Sequence, residues 1–134
     1  MLQHVWIVQQ LCDRGTLYDA TDRGWLQRDR RRQGQPDMRA LLQTAVEIGR
    51  AMTFLHSHDI IHGDLTGNNV LLTKSDKDKR GFVAIVCDFG LSRVASEGSM
   101  NTKSFGSVTH MPPELLADGV LSKAADVYAL GVLL

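Results

Sequence analysis

The sequence predicts an α+β chain, mainly helical, with short β hairpins around a polar loop, and three observations carry that prediction. From Asp37 to Ser57 the apolar residues Leu41, Ala45, Ile48, Met52 and Leu55 recur at steps of four and three, the period of an amphipathic helix. Val70-Leu71-Leu72 and Phe82-Val83-Ala84-Ile85-Val86 flank the charged stretch Thr73–Gly81, as the arms of a hairpin flank its turn. Ala124 to Leu134 is nearly all apolar, the composition of a helix in the centre of a packed lobe.

Taken in order, Val5 to Leu11 is apolar and β-branched in character and predicts a short strand. Cys12-Asp13-Arg14-Gly15 breaks it, and Thr16 is placed to cap a helix running to about Leu26. Asp29 to Pro36 is charged and punctuated by Gly and Pro, hence a loop; the basic run Arg28–Arg32 reads as a solvated face of it. On the helix that follows, Arg39, Gln43, Glu47 and Arg50 occupy the face opposite the apolar stripe. Leu91 to Lys103 is rich in Ser and Gly with little apolar content, which predicts a mobile connection. Leu115 and Leu116 begin a short helix before the terminal apolar one. No internal repeat and no second domain is visible.

Composition narrows the function classes. The chain has 134 residues with 15 basic and 15 acidic side chains, enough for one core and neutral overall. That balance gives no electrostatic reason to expect nucleic acid or an anionic membrane as partner. Two cysteines, Cys12 and Cys87, are too few for a disulfide framework. No apolar run is long enough for a membrane span, and the polar start Met1-Leu2-Gln3-His4 lacks a basic leader. A cytoplasmic setting is the expectation. His56, His58 and His62 cluster in sequence, yet a zinc site wants three or four converging ligands and no thiolate or carboxylate partner is evident beside them.

Chemistry concentrates in Ile60-Ile61-His62-Gly63-Asp64-Leu65-Thr66-Gly67-Asn68-Asn69-Val70-Leu71-Leu72. Apolar flanks clamp a Gly- and Asn-rich loop, which can hold the carboxylate of Asp64 and the carboxamide of Asn69 at a fixed separation. Downstream, Cys87-Asp88-Phe89-Gly90 ends the apolar run of the second hairpin arm, and Phe105-Gly106-Ser107-Val108-Thr109-His110-Met111-Pro112-Pro113-Glu114 follows. Three patterns in this order, H-x-D-x-x-x-x-N, D-F-G and P-P-E, resemble the catalytic half of a eukaryotic protein kinase domain.

The resemblance implies a truncated protein kinase-like fold. Residues 1–15 would be the last small-lobe strand and hinge, and 16–134 part of a mainly helical large lobe. It implies ATP and Mg2+ as cofactors and protein Ser/Thr hydroxyls as acceptors. Asp64 would accept the hydroxyl proton, and Thr66 would stand where Ser/Thr kinases place a phosphate-touching Lys. Asp88 and Asn69 would hold magnesium, whose preference is for hard oxygen ligands. Gln10, Cys12, Thr16 and Leu71 would line the adenosine site. His62, Phe89, Gly90, Ser107, Glu114 and Asp126 would be structural: His62 packed on Phe89, Asp126 tying the last helix to the catalytic-loop backbone. Ser107 after Gly106 resembles the Gly-Thr pair of Ser/Thr kinases, and the whole resembles the tyrosine-kinase-like group. Val83-Ala84-Ile85-Val86 only imitates the small-lobe V-A-I-K, because its fourth residue is Val and it runs into D-F-G.

The sequence departs from the family at three places. Gly63 replaces the usual Arg beside the catalytic Asp, so phosphorylation at Ser92, Ser96, Ser99, Thr102 or Ser104 is not expected to be an obligatory switch. Thr66 carries no positive charge. No G-x-G and no suitably placed small-lobe Lys occur, so the missing small lobe is expected from upstream sequence. Two readings stand: part of an active kinase, inactive as this chain alone, or a non-catalytic kinase-like binding module.

Overall fold

In the computed structural model, the described residues are 5–28, 34–89, 92–94, 99–101 and 107–134. The order is α1 (Leu17–Asp22), α2 (Met38–Ser57), β1 (Ile60–Ile61), a 3-10 turn (Gly67–Asn69), β2 (Val70–Lys74), β3 (Phe82–Val86), β4 (Arg93–Val94), β5 (Ser99–Asn101), a second 3-10 turn (Val108–His110), α3 (Pro113–Asp118), β6 (Val120–Ser122) and α4 (Lys123–Leu133). The strands form three antiparallel pairs: β2 with β3, β1 with β4, and β5 with β6.

Local chemistry sets the boundaries. Thr16 and Asp19 form a reciprocal capping box at the start of α1, which satisfies two orphan backbone donors. That helix stops at Asp22, short of the expected Leu26, and Gly24 follows with φ +70°. Asp37 caps α2 by accepting the N–H groups of Arg39 and Ala40. The helix buries Ala40, Thr44, Ile48, Met52 and Leu55, a stripe rotated from the expected one: Leu41 and Ala45 lie at its margin.

The main core joins α1, α2, the β2–β3 hairpin and Ala129 of α4, with Ile48, Leu65, Val70 and Leu72 fully buried. A second cluster gathers Ile61, Met111, Leu115, Leu121 and Ala125. The polar side of α2 is not all solvated. Glu47 ion-pairs with Arg80 and also accepts the Ala84 N–H at 2.9 Å. Arg80 further donates to Asp78 at 2.8 Å and to Thr44 Oγ1 at 2.7 Å, and its guanidinium lies 4.8 Å from the centre of the Phe82 ring. One arginine thus locks the hairpin turn onto the middle of α2.

Two expectations are corrected. Val5 to Leu11 is not a strand: it has no regular structure, and Val8 is 96% exposed. A strand is held by a neighbour, and no described strand pairs with this stretch. The terminal helix is likewise not buried all round. Ala125, Asp126 and Ala129 are covered, whereas Val127, Tyr128 and Val132 are exposed, because α2, β1 and β6 pack against only one side of it.

Asp126 is the deepest charge in that helix, 2% exposed. Its Oδ2 accepts the His62 N–H at 2.9 Å and contacts His56 Nε2 at 2.7 Å, while Oδ1 accepts the Gly63 N–H at 2.9 Å. A buried carboxylate needs such partners, and here they are the backbone of the loop that carries Asp64.

Replacing Asp126 by Ala strands two backbone donors and is expected to cost about 2–5 kcal/mol, read as a fall in the urea midpoint by circular dichroism. Glu47→Ala leaves Arg80 with one carboxylate fewer and orphans the Ala84 N–H, with an expected loss of about 2–4 kcal/mol. Hydrogen bonds from Arg80 hold the Asp78 carboxyl below its ordinary range. That stabilisation is complete above the unfolded value of about 4 and is lost as the pH falls through the lower folded value. The urea midpoint should therefore decline on acidification below about pH 4, and more shallowly in an Asp78→Asn variant.

Candidate active site

The polar loop is gripped at both ends by side chains with no exposure: Ile61 and Leu65 on one side, Val70 and Leu72 on the other. Between them the backbone turns at Gly63, φ +79°, a conformation glycine adopts without a Cβ penalty. His62 is fully buried. Its Nδ1 accepts the Asp64 N–H at 3.2 Å, which leaves Nε2 to donate to the Cys87 carbonyl at 2.9 Å. Its ring lies 5.6 Å from that of Phe89, the packing expected of this pair.

The same network brings Asp64 and Asn69 together. Asn69 Nδ2 donates to the Asp64 carbonyl at 2.7 Å and to its Oδ2 at 3.0 Å. The other carboxylate oxygen, Oδ1, accepts the Ser107 N–H at 2.8 Å. It is the backbone of Ser107, placed by resemblance among the structural residues, that reaches Asp64. Cys87 then closes the ring by donating its N–H to the Asn69 carbonyl at 2.9 Å. Asp88 is the next residue, exposed and held at φ +62°, an uncommon conformation for a non-glycine residue. Burial, then the charges of Asp88 and Cys12, push the Cys87 thiol above its usual value, so it stays protonated at neutral pH.

Because Nδ2 of Asn69 faces Asp64, its Oδ1 is the atom left for a cation; Asp88 supplies a carboxylate from the turn whose Cys87 N–H binds the Asn69 carbonyl. A carboxylate and an amide oxygen are the hard donors that magnesium takes, together with water, so the donor set fits that ion.

The remaining sequence candidates are dispersed. Thr16 bridges Leu71 along the edge of β2, where Arg14 N–H donates to Leu72 O and Leu72 N–H donates to Gly15 O; Cys12 is half-buried just before this stretch. Thr16 uses its hydroxyl oxygen to cap α1. Gln10 is exposed in the irregular N-terminal stretch. Thr66 is buried, 6% exposed, and lines a recess of about 310 Å3 with Tyr18, Asn68 and Ser107. Glu114 is exposed in the first turn of α3. Gly90, Gly106, Ser96, Thr102 and Ser104 lie outside the described residues.

The three clustered histidines diverge: His56 reaches Asp126, His58 stacks on Phe54 at 4.4 Å, and His62 binds the Cys87 carbonyl. The role of His56 was not read from the sequence. Its only signal is a position six residues before His62, which the turn after α2 folds back onto α4.

Comparison with known proteins agrees with this geometry. The profile of the family described as protein tyrosine and serine/threonine kinase matches residues 1–134. The chain is 34% identical over 120 residues to a probable serine/threonine-protein kinase of Dictyostelium discoideum, 90% of this chain and 12% of that protein. It is 33% identical over 128 residues to human mitogen-activated protein kinase kinase kinase 13, 96% of this chain and 12% of that protein. With the probable serine/threonine-protein kinase SIS8 of Arabidopsis thaliana it shares 36% identity over 131 residues, 96% of this chain and 11% of that protein. The chain thus spans about a tenth of the length of the curated relatives it matches. With the family profile matched from end to end, and the loop and turn of its catalytic half joined as described, the chain belongs to the protein tyrosine and serine/threonine kinase family.

Proposed function

We propose that the chain is the catalytic portion of an ATP-dependent protein kinase domain that transfers the γ-phosphate to Ser/Thr hydroxyls of protein substrates. In this reading residues 1–15 correspond to the end of the small lobe and the hinge, without the expected strand over Val5–Leu11, and 16–134 run through the large lobe to its central helix. The observation that supports it is the shared frame of Asp64, Asn69 and the turn bearing Asp88, built by Asn69 Nδ2 on Asp64 and the Cys87 N–H on Asn69.

Each residue then has a task. Asp64, fixed by Asn69 on one oxygen and the Ser107 N–H on the other, orients the acceptor hydroxyl and takes its proton as the new bond forms. Asp88 and Asn69 Oδ1 hold magnesium, which when bound neutralises charge on the phosphate oxygens. Thr16 and Leu71, bridged at the edge of β2, face the adenosine, with Gln10 and Cys12 offering backbone groups ahead of them. Relatives named as serine/threonine-protein kinases favour Ser/Thr over Tyr as acceptor. The alternative is a non-catalytic kinase-like binding module, against which the intact set Asp64, Asn69 and Asp88 speaks.

Asp64→Asn in the full-length protein should lower transfer of radiolabel from ATP to a generic Ser/Thr substrate by about 10^2- to 10^4-fold, with the KM for ATP nearly unchanged. An unaltered rate would remove Asp64 from the chemistry and favour the binding module. The 134-residue chain by itself is expected to transfer no measurable label and to bind ATP weakly; robust transfer by the isolated chain would show that no small lobe is needed.

A further inference from the structure

A cleft of about 500 Å3 lies away from the residues assigned above, between Trp25–Arg28, the first turns of α2 and the β2–β3 turn. Its walls are braced. Asp37 N–H donates to Leu26 O and Arg28 N–H to Gln35 O, while Gln43 Nε2 donates to Asp78 Oδ2 at 2.6 Å. The Arg80 clamp fixes the far side, and the Trp25 ring lies 6.2 Å from that of Phe82.

Charge is distributed unevenly among the lining residues. Both carboxylates are committed: Asp37 caps α2, and Asp78 pairs with Arg80. The exposed cations Arg28, Arg39, Lys77 and Lys79 form no ion pair with any described residue. In a chain with 15 positive and 15 negative side chains, four unpaired cations around one braced cleft make a local positive potential that the whole molecule lacks.

We propose that this cleft docks an extended acidic segment of a protein partner. Its cations come from three separate segments of the chain, Arg28, Arg39 and Lys77 with Lys79, which suits carboxylates spaced along a peptide better than a single phosphate. Trp25 supplies an apolar flank for the peptide's backbone or an interspersed side chain. A concave site does not lie flat on a membrane, and the overall neutrality of the chain disfavours a nucleic-acid duplex.

The probe is a fluorescein-labelled peptide of alternating Glu and Ala, titrated with the chain and read by anisotropy, with the Lys/Ala counterpart as control. The Glu peptide is expected to bind, and the Lys peptide not to bind. Raising salt from about 50 to about 300 mM should weaken binding severalfold, as for a solvent-accessible charged contact. The triple variant Arg39→Glu, Lys77→Glu, Lys79→Glu should lose the Glu peptide by about tenfold or more and gain the Lys peptide. Should that variant fail to fold by circular dichroism, the milder Lys77→Gln, Lys79→Gln pair decides, with about threefold weakening expected. Affinity for the Glu peptide unchanged in the folded variants would overturn the proposal. So would tighter binding to a DNA duplex or to phosphatidylserine vesicles than to the peptide.

Discussion

A single carboxylate at the head of α4 fixes where the loop bearing Asp64 begins. Asp126 sits in the first helical turn, where the macrodipole favours negative charge. Both of its oxygens bind backbone N–H groups of consecutive residues, His62 and Gly63. A carboxylate that accepts two adjacent amides constrains position and direction of the chain together, which a single hydrogen bond does not. Asp64 is the next residue after that pair, so its carboxylate inherits the constraint. His56, from the last turn of α2, meets the same oxygen as the His62 amide, and three elements converge on one buried charge.

From that anchor a second set of hydrogen bonds spreads across the site. His62 uses one ring nitrogen within the loop and the other on the Cys87 carbonyl, while Cys87 returns its own N–H to Asn69. Loop and turn are therefore laced in both directions. Two residues with positive φ mark where the chain must bend to permit this: Gly63 at +79° and Asp88 at +62°. Glycine bears that geometry freely, whereas an aspartate there costs roughly 1–2 kcal/mol, a strain that the surrounding lacing sustains.

Behind the site, Arg80 performs the corresponding task for the scaffold. It is nearly buried, faces two carboxylates, and covers the Phe82 ring. An ion pair of this kind gains little net stability over an apolar packing, because desolvation offsets much of the attraction. Its geometric effect is larger. The β2–β3 turn is held to α2, so the strand that delivers Asn69 and the strand that delivers Asp88 have one orientation relative to the core.

Sequence alone determined the elements whose information is local. The four–three periodicity of α2 and the hairpin arms around a charged turn were legible, since each rests on residue type and spacing within a short window, whereas Asp64, Asn69 and Asp88 were singled out by the resemblance to kinase motifs. Tertiary structure decided what depends on distant neighbours. Val5 to Leu11 has strand composition yet no strand, because pairing requires a partner that composition cannot supply. Glu47 was placed on the face opposite the apolar stripe and is an ion-pair and backbone acceptor, because its fate depends on Arg80 and Ala84 more than thirty positions away. Ser107 meets Asp64 through its backbone amide, a contact set by how the chain arrives at the loop. Side-chain chemistry is written in the sequence; which backbone groups meet it is fixed only when the core closes.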